Sequence, residues 1–176
     1  MIFTPNEDTE KLLRSLWFGF TDKSFDKKGK QWSFTGSPYI SKVGGNGADS
    51  VVFDGSTTIS ATNFAVNAAN YSINFTLQLA EMVGTIIETS KFTLTTSALS
   101  SYLSLNTPMT FKIVGGYEWK AVSAFDYRYD LYINGSKKTG NWIGYYTSLN
   151  IKLGEGLKGF ISNFSVVSSG NTISQF

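Results

Sequence analysis

An alternating run of side chains that ends in a tight turn constrains the fold of this chain more than any other feature. From Phe125 to Ile133 the odd positions are aromatic or aliphatic, whereas the even positions are mostly charged. A period of two places successive side chains on opposite faces of a β-strand. Asn-Gly follows at 134–135, and this pair favours a hairpin turn because both residues tolerate a positive φ. The sequence therefore predicts a half-buried strand that folds back on itself.

The composition extends this β interpretation to the whole chain of 176 residues. Aromatic residues make up 15% of the chain and charged residues 16%, and there are 17 glycines but 3 prolines. Such a mixture favours many short strands joined by glycine-rich turns, as in a sandwich or a barrel. A chain of this length is expected to form one domain with a sizeable core.

Other segments repeat the pattern. Residues 71–79 alternate between apolar and polar side chains, which predicts an antiparallel strand with one dry and one wet face. Gly115 and Gly116 are expected to form a turn. Further strands are predicted at 12–20, 32–35, 39–43, 51–53, 85–88, 91–95, 102–105, 109–114, 118–124, 149–153 and 160–167. The predicted core includes Phe53, Ile73, Phe75, Leu77, Leu131, Ile133, Ile161 and Phe164.

The two ends of the chain are predicted to differ from its middle. Thr4 followed by Pro5 and Glu7 fits the start of a short helix. We therefore expect an N-terminal arm or short helix at 1–11, a β-sandwich at 12–168 and a C-terminal tail at 169–176.

Missing residue types exclude several kinds of chemistry. The chain has no Cys and no His, so it has no disulfides, no thiolate or imidazole metal ligands and no Ser-His-Asp arrangement. The net charge of +2 gives no support for nucleic-acid binding. No apolar run is long enough to span a bilayer and no signal segment is visible, so neither a nucleic acid nor a membrane is expected as a partner.

Five motifs follow one another along the chain. They are Leu16–Phe20 with the loop residues Asp22 and Asp26, Gly44–Gly47 before Val51–Gly55, Tyr71–Leu79, Leu131–Gly135, and a final strand with Gly159, Ile161, Phe164 and Val166. Their order resembles concanavalin A-like, laminin G-like jelly-roll domains, of the kind found in phage structural proteins and lectin-like adhesion modules. The resemblance implies an all-β, two-sheet antiparallel jelly-roll sandwich.

The resemblance leaves several functions open, because one fold hosts many. Our first hypothesis is a non-enzymatic structural or adhesion module of a virion, such as a bacteriophage capsid-decoration or fibre protein, that contacts other virion proteins or itself. The alternative is a cellular carbohydrate-binding module, extracellular or at the cell surface without a visible signal peptide. A glycoside hydrolase is the weaker alternative. Its usual Glu-x-Asp-x-x-Glu motif is absent, and the best carboxylate pair, Asp126 and Asp130, has Arg128 between its members.

Aromatic residues beside amides are the candidate contacts for a glycan or a protein partner, since ring faces stack on apolar sugar faces. The three aromatics at 142–146 cannot all point inward from a regular strand, so at least one is expected to be exposed. The candidate residues are Asn141, Trp142, Tyr145 and Tyr146, with Tyr117 and Trp119 as a second patch.

Metal binding and assembly are the remaining predictions. We expect no cofactor; calcium is a weak candidate at the loop residues Asp22, Asp26, Asp49 and Asp54, of which the last two fit turn-capping roles better. Apolar residues near both ends, Met1, Ile2, Phe3 and Phe176, are candidate assembly contacts. The alternative is that both ends fold back on their own sandwich.

Overall fold

The computed structural model of the protein describes residues 25–41, 49–119 and 126–176. This part of the chain is almost wholly β, and its strands are β1 Ser33–Thr35, β2 Ile40–Ser41, β3 Ser50–Asp54, β4 Thr58–Ala65, β5 Tyr71–Leu79, β6 Thr85–Thr89, β7 Thr93–Thr95, β8 Met109–Tyr117, β9 Tyr127–Ile133, β10 Ser136–Ile143, β11 Ser148–Leu153, β12 Lys158–Ser168 and β13 Asn171–Gln175. A single turn of 3₁₀ helix at Ser100–Tyr102 lies between β7 and β8.

The strands form two antiparallel sheets. The five-stranded sheet has the order β1-β4-β11-β6-β7, and the eight-stranded sheet has the order β10-β9-β8-β5-β12-β3-β2, with β13 paired to β12. This arrangement confirms the predicted all-β, two-sheet antiparallel sandwich. The jelly-roll type of the sandwich stays a prediction.

The core lies between the sheets and is built from alternate residues of each strand. All eight residues that the sequence placed in the core are at most 2% exposed. Phe75 stacks on Phe111 of the next strand with ring centroids 5.1 Å apart. The five-stranded sheet contributes Ile59, Ile87 and Leu153 from the opposite side. The period-two patterns therefore identified the buried faces of β5 and β9 correctly.

Two local predictions were wrong. Gly115 and Gly116 do not form a turn, because β8 runs through them as far as Tyr117. A Cβ atom at Gly115 would overlap the ring of Tyr71, so the glycine makes room for an aromatic side chain from β5. At 102–105 the 3₁₀ turn and an isolated bridge between Leu105 and Leu79 replace the predicted strand.

The sheet continues beyond the predicted boundary at residue 168. Residues 171–175 form β13 and pair with β12 instead of leaving the sandwich as a tail. The predicted helix start at Thr4, the strand at 12–20 and the assembly contacts Met1, Ile2 and Phe3 lie outside the described residues. So do residues 120–124 of the strand predicted at 118–124.

Candidate functional site

A groove of about 610 Å³ lies on the face of the eight-stranded sheet that points away from the core. Four adjacent strands, β12, β5, β8 and β9, build it. Its outward-facing side chains carry hydroxyl, amide and amino groups, one phenol ring and one valine, whereas the rings of Phe75 and Phe111 are buried in the core. The lining residues are Asn74, Phe75, Thr76, Thr110, Phe111, Lys112, Val114, Tyr132, Gly135 and Asn163.

Strand register aligns three functional groups across the middle of this groove. Asn74 of β5 is paired with Lys112 of β8, and Lys112 is paired with Tyr132 of β9. Directly opposite residues on one face of a sheet have Cβ atoms about 4.5–5.5 Å apart. An amide, an ammonium group and a phenol ring therefore lie in a row across the strands. Asn74 Nδ2 donates to Ser72 Oγ at 3.0 Å, which orients the amide.

The hairpin between β9 and β10 closes one end of the groove. Asn134 and Gly135 have φ values of 50° and 82°, as a primed hairpin turn requires. Asn134 also binds the neighbouring strand, since its Oδ1 accepts from Thr110 N at 2.9 Å and its N donates to Thr110 O at 2.8 Å. The turn predicted from the sequence is confirmed, and it holds Gly135 at the groove.

A bulge in β12 brings Asn163 to the opposite side of the groove. The register of β12 against β5 shifts between Ser162 and Ser165, and Asn163 has a φ of 53°. A bulge re-aims the side chain of its extra residue. Sequence reasoning missed this residue, although a signal was present. Ile161 and Phe164 both face the core despite being three positions apart, which breaks the period of two.

A charged cluster borders the groove on β9 and β10. Arg128 Nη2 lies 2.7 Å from Asp130 Oδ1, and Lys137 Nζ lies 3.2 Å from the same oxygen. The guanidinium of Arg128 also covers the ring of Trp142, with 4.7 Å between its central carbon and the ring centroid. Gly140 opposes Asp130, and a Cβ atom there would overlap the carboxylate. The predicted contact residue Trp142 is thus stacked under a cation beside the groove.

The other predicted aromatics lie elsewhere. Tyr117 and Tyr145 both contact Tyr127, with centroid distances of 4.9 Å and 5.1 Å. Tyr117 and Tyr127 share the strand face of the core residues, at the end of the sheet, so this aromatic edge patch is not on the groove face. Trp119, just beyond β8, is 72% exposed. Asn141 has the opposite parity to Trp142 on β10, and its Oδ1 accepts from Trp142 N.

Tyr146 is buried and does not belong to an exposed patch. It is 5% exposed, and its hydroxyl is hydrogen-bonded to the Tyr71 hydroxyl at 2.6 Å. Burial raises the pKa of Tyr71 well above its usual range and raises the pKa of Tyr146 to about 12. Tyr146 therefore packs in the core. The three aromatics at 142–146 lie in three different places, with Trp142 under Arg128, Tyr145 in the aromatic edge patch and Tyr146 in the core.

Two of the candidate calcium ligands, Asp26 and Asp54, accept hydrogen bonds from protein groups. Both carboxylate oxygens of Asp26 accept hydrogen bonds from protein donors, and the residue is 1% exposed. Asp54 Oδ1 accepts from Ser56 N and Thr57 Oγ1 in a turn. Asp49 is exposed, and Asp22 lies outside the described residues. Within the described ranges no group of three or more acidic side chains converges as a metal site would need.

One solved structure with a similar fold is domain 4 of AbnA, a GH43 extracellular arabinanase from Geobacillus stearothermophilus, in complex with arabinotriose. The two share 12% sequence identity with a TM-score of 0.54, over 83% of this chain and 84% of that one. At this identity the likeness shows a common fold. No protein-family model matches the sequence, and neither does any curated protein. No helix in the described part of the chain is long and apolar enough to cross a membrane.

Proposed function

We propose that this protein is a non-enzymatic carbohydrate-binding domain and that the groove on its eight-stranded sheet holds an oligosaccharide. The row formed by Asn74, Lys112 and Tyr132 is the observation that carries the proposal. It places one aromatic ring beside an amide and an amino group, which suits a ligand with an apolar ring face and a rim of hydroxyls. The similarly folded domain was solved in complex with arabinotriose, which supports an oligosaccharide as the ligand.

The size and lining of the groove support a short sugar chain. Its volume of about 610 Å³ falls within the roughly 300–1,000 Å³ usual for small-ligand sites. Thr76 and Thr110 supply hydroxyls at one end, and Asn163 supplies a second amide. Most of these groups sit on strands, which position a binding site more precisely than loops do.

A binding role without catalysis is part of the proposal. A glycoside hydrolase needs two carboxylates flanking the scissile bond. The groove lining contains no carboxylate. Asp130 beside it is held by Arg128 and Lys137, and Asp126 is 7% exposed. The virion location and virion partners stay predictions from the sequence, because they rest on the family resemblance.

Titration calorimetry with arabinotriose and other short oligosaccharides tests this function. Tyr132→Ala should weaken binding about two- to tenfold, since loss of one aromatic stacking contact costs about 0.5–1.5 kcal/mol. Tyr145→Ala is the matched control, because it removes an equally large tyrosine from the aromatic edge patch. Loss of binding in the control alone would move the site to that patch. Failure of every oligosaccharide to bind the wild-type protein would refute the proposed function.

A further inference from the structure

We propose that the groove selects acidic oligosaccharides, whose ring carboxylates or sulfates are bound by Lys112. The inference rests on the proposed function and adds the chemical class of the ligand. It starts from the position of Lys112 in the centre of the row, between Asn74 and Tyr132. Any sugar ring that lies against Tyr132 has its edge within reach of this ammonium group.

The charges around the groove are unbalanced. Among the described residues of the groove and the charged cluster beside it, three are cations, Lys112, Arg128 and Lys137, and one is a carboxylate, Asp130, which leaves an excess of two positive charges. Asp130 is engaged by Arg128 and Lys137. Lys112 makes no ion pair with any described residue, and it is exposed to solvent. An anionic ligand would supply the ion-pair partner that the described residues do not provide for Lys112.

Removal of water from Lys112 on binding should favour acidic sugars over neutral ones. A neutral sugar that covers Lys112 removes water from an ammonium group without replacing its charge interactions, which costs free energy. A carboxylate or sulfate at the same place forms a charge-assisted hydrogen bond, about twice as strong as a neutral one. The neutral side chains of Thr110, Asn74 and Asn163 also line the groove. Thr110 Oγ1 donates to Asn134 Oδ1 and Asn74 Nδ2 donates to Ser72 Oγ, and the Thr110 and Asn74 oxygens can still accept from the ring hydroxyls of either kind of sugar.

The test measures affinities for trisaccharides of galacturonate, glucuronate and sulfated galactose, for methyl esters of the two uronates, and for neutral arabinose and galactose trisaccharides. We expect the acidic members to bind at least tenfold more tightly than neutral members of equal length. Esterification should remove this preference. The affinity for acidic members should fall between about 0.05 and 0.5 M salt, because salt screens exposed charges.

Lys112→Met should weaken the binding of acidic members about tenfold and that of neutral members by much less, so that the acidic preference is lost. Lys138→Met is the matched control, since its ammonium lies 5.5 Å from the ring centroid of Tyr102 and does not line the groove. Equal affinity for acidic and neutral members would overturn this inference and leave the proposed function intact. An acidic preference that survives in Lys112→Met would also overturn it. Failure of every member to bind would overturn the proposed function itself.

Discussion

At the scale of single residues, Asp26 joins three separate parts of the chain. Its carboxylate accepts from Lys28 N at 2.8 Å, from Trp32 Nε1 at 3.1 Å and from Gln175 N at 3.1 Å, and Ser174 Oγ donates to it as well. A buried carboxylate is tolerated when its oxygens are satisfied in this way. The residue that resembled a loop calcium ligand in the sequence is therefore a structural acceptor.

Replacing Asp26 by Asn should destabilise the domain by on the order of 3 kcal/mol, because the new NH₂ group would face buried donors. Asp54→Asn is the control, since this acceptor sits in an exposed turn and should cost about 1 kcal/mol or less. Urea unfolding measures both changes. Equal losses of stability in the two variants would contradict the role of Asp26. A rise of several degrees in the melting temperature of the wild-type protein on adding calcium would instead support the predicted calcium site.

The Tyr71–Tyr146 pair should make stability depend on pH in the alkaline range. Burial raises both pKa values above 10.0, to about 12 for Tyr146, so the folded state keeps protons that the unfolded chain releases. The stabilisation is complete below pH 10 and is lost as the pH rises towards 12, by at most about 1.4 kcal/mol per pH unit for each phenol. The double variant Tyr71→Phe/Tyr146→Phe should show a flatter decline between pH 9 and 11 in urea unfolding. Parallel curves for the two proteins would refute this.

At the scale of single elements, the sequence predicted the structure best where residues close together in the chain determine it. The alternation of β5 and β9 and the Asn-Gly turn could all be read locally, because a one-residue slip would bury every polar side chain. Gly115 was misread because a contact from a distant strand, the Tyr71 ring, overrides the turn preference of a glycine pair. The groove could not be predicted, since Asn74, Lys112 and Tyr132 meet only through the register of three strands.

The two adjacent glycines of β8 offer a direct test of that explanation. Gly115→Ala should destabilise the domain by about 1–3 kcal/mol, the usual cost of overpacking, because its Cβ would overlap the Tyr71 ring. Gly116→Ala should be neutral or slightly stabilising, since nothing lies within 4 Å of its Cβ position. Comparison of the two unfolding free energies checks this. A larger loss of unfolding free energy for Gly116→Ala than for Gly115→Ala would mean that the backbone conformation of the two glycines, and not contact with Tyr71, explains their presence in β8.

At the scale of the whole molecule, the C-terminal strand closes one end of the sandwich. β13 pairs with β12, and Gln175 O accepts from Lys27 N at 2.8 Å. Phe176 stacks on Phe25 and Phe164, with centroids 4.5 Å and 4.8 Å away. Phe176 therefore packs on its own domain, as the fold-back alternative predicts for this end of the chain, and its role in assembly stays a prediction.

Deletion of residues 171–176 should consequently unfold the domain instead of trimming a tail. It removes two of the four donors to buried Asp26, Ser174 Oγ and Gln175 N, and uncovers Trp32, whose ring centroid lies 5.3 Å from that of Phe176. The combined loss of unfolding free energy should exceed about 5 kcal/mol, the lower end of the stability of a natural domain.

Phe176→Ala alone should cost about 1–3 kcal/mol of unfolding free energy, since this side chain is partly exposed. Circular dichroism melts of both variants measure the effect. A truncated protein that still melts cooperatively near the wild-type temperature would show that β13 is dispensable, and the closing of the sandwich would then have to depend on other strands.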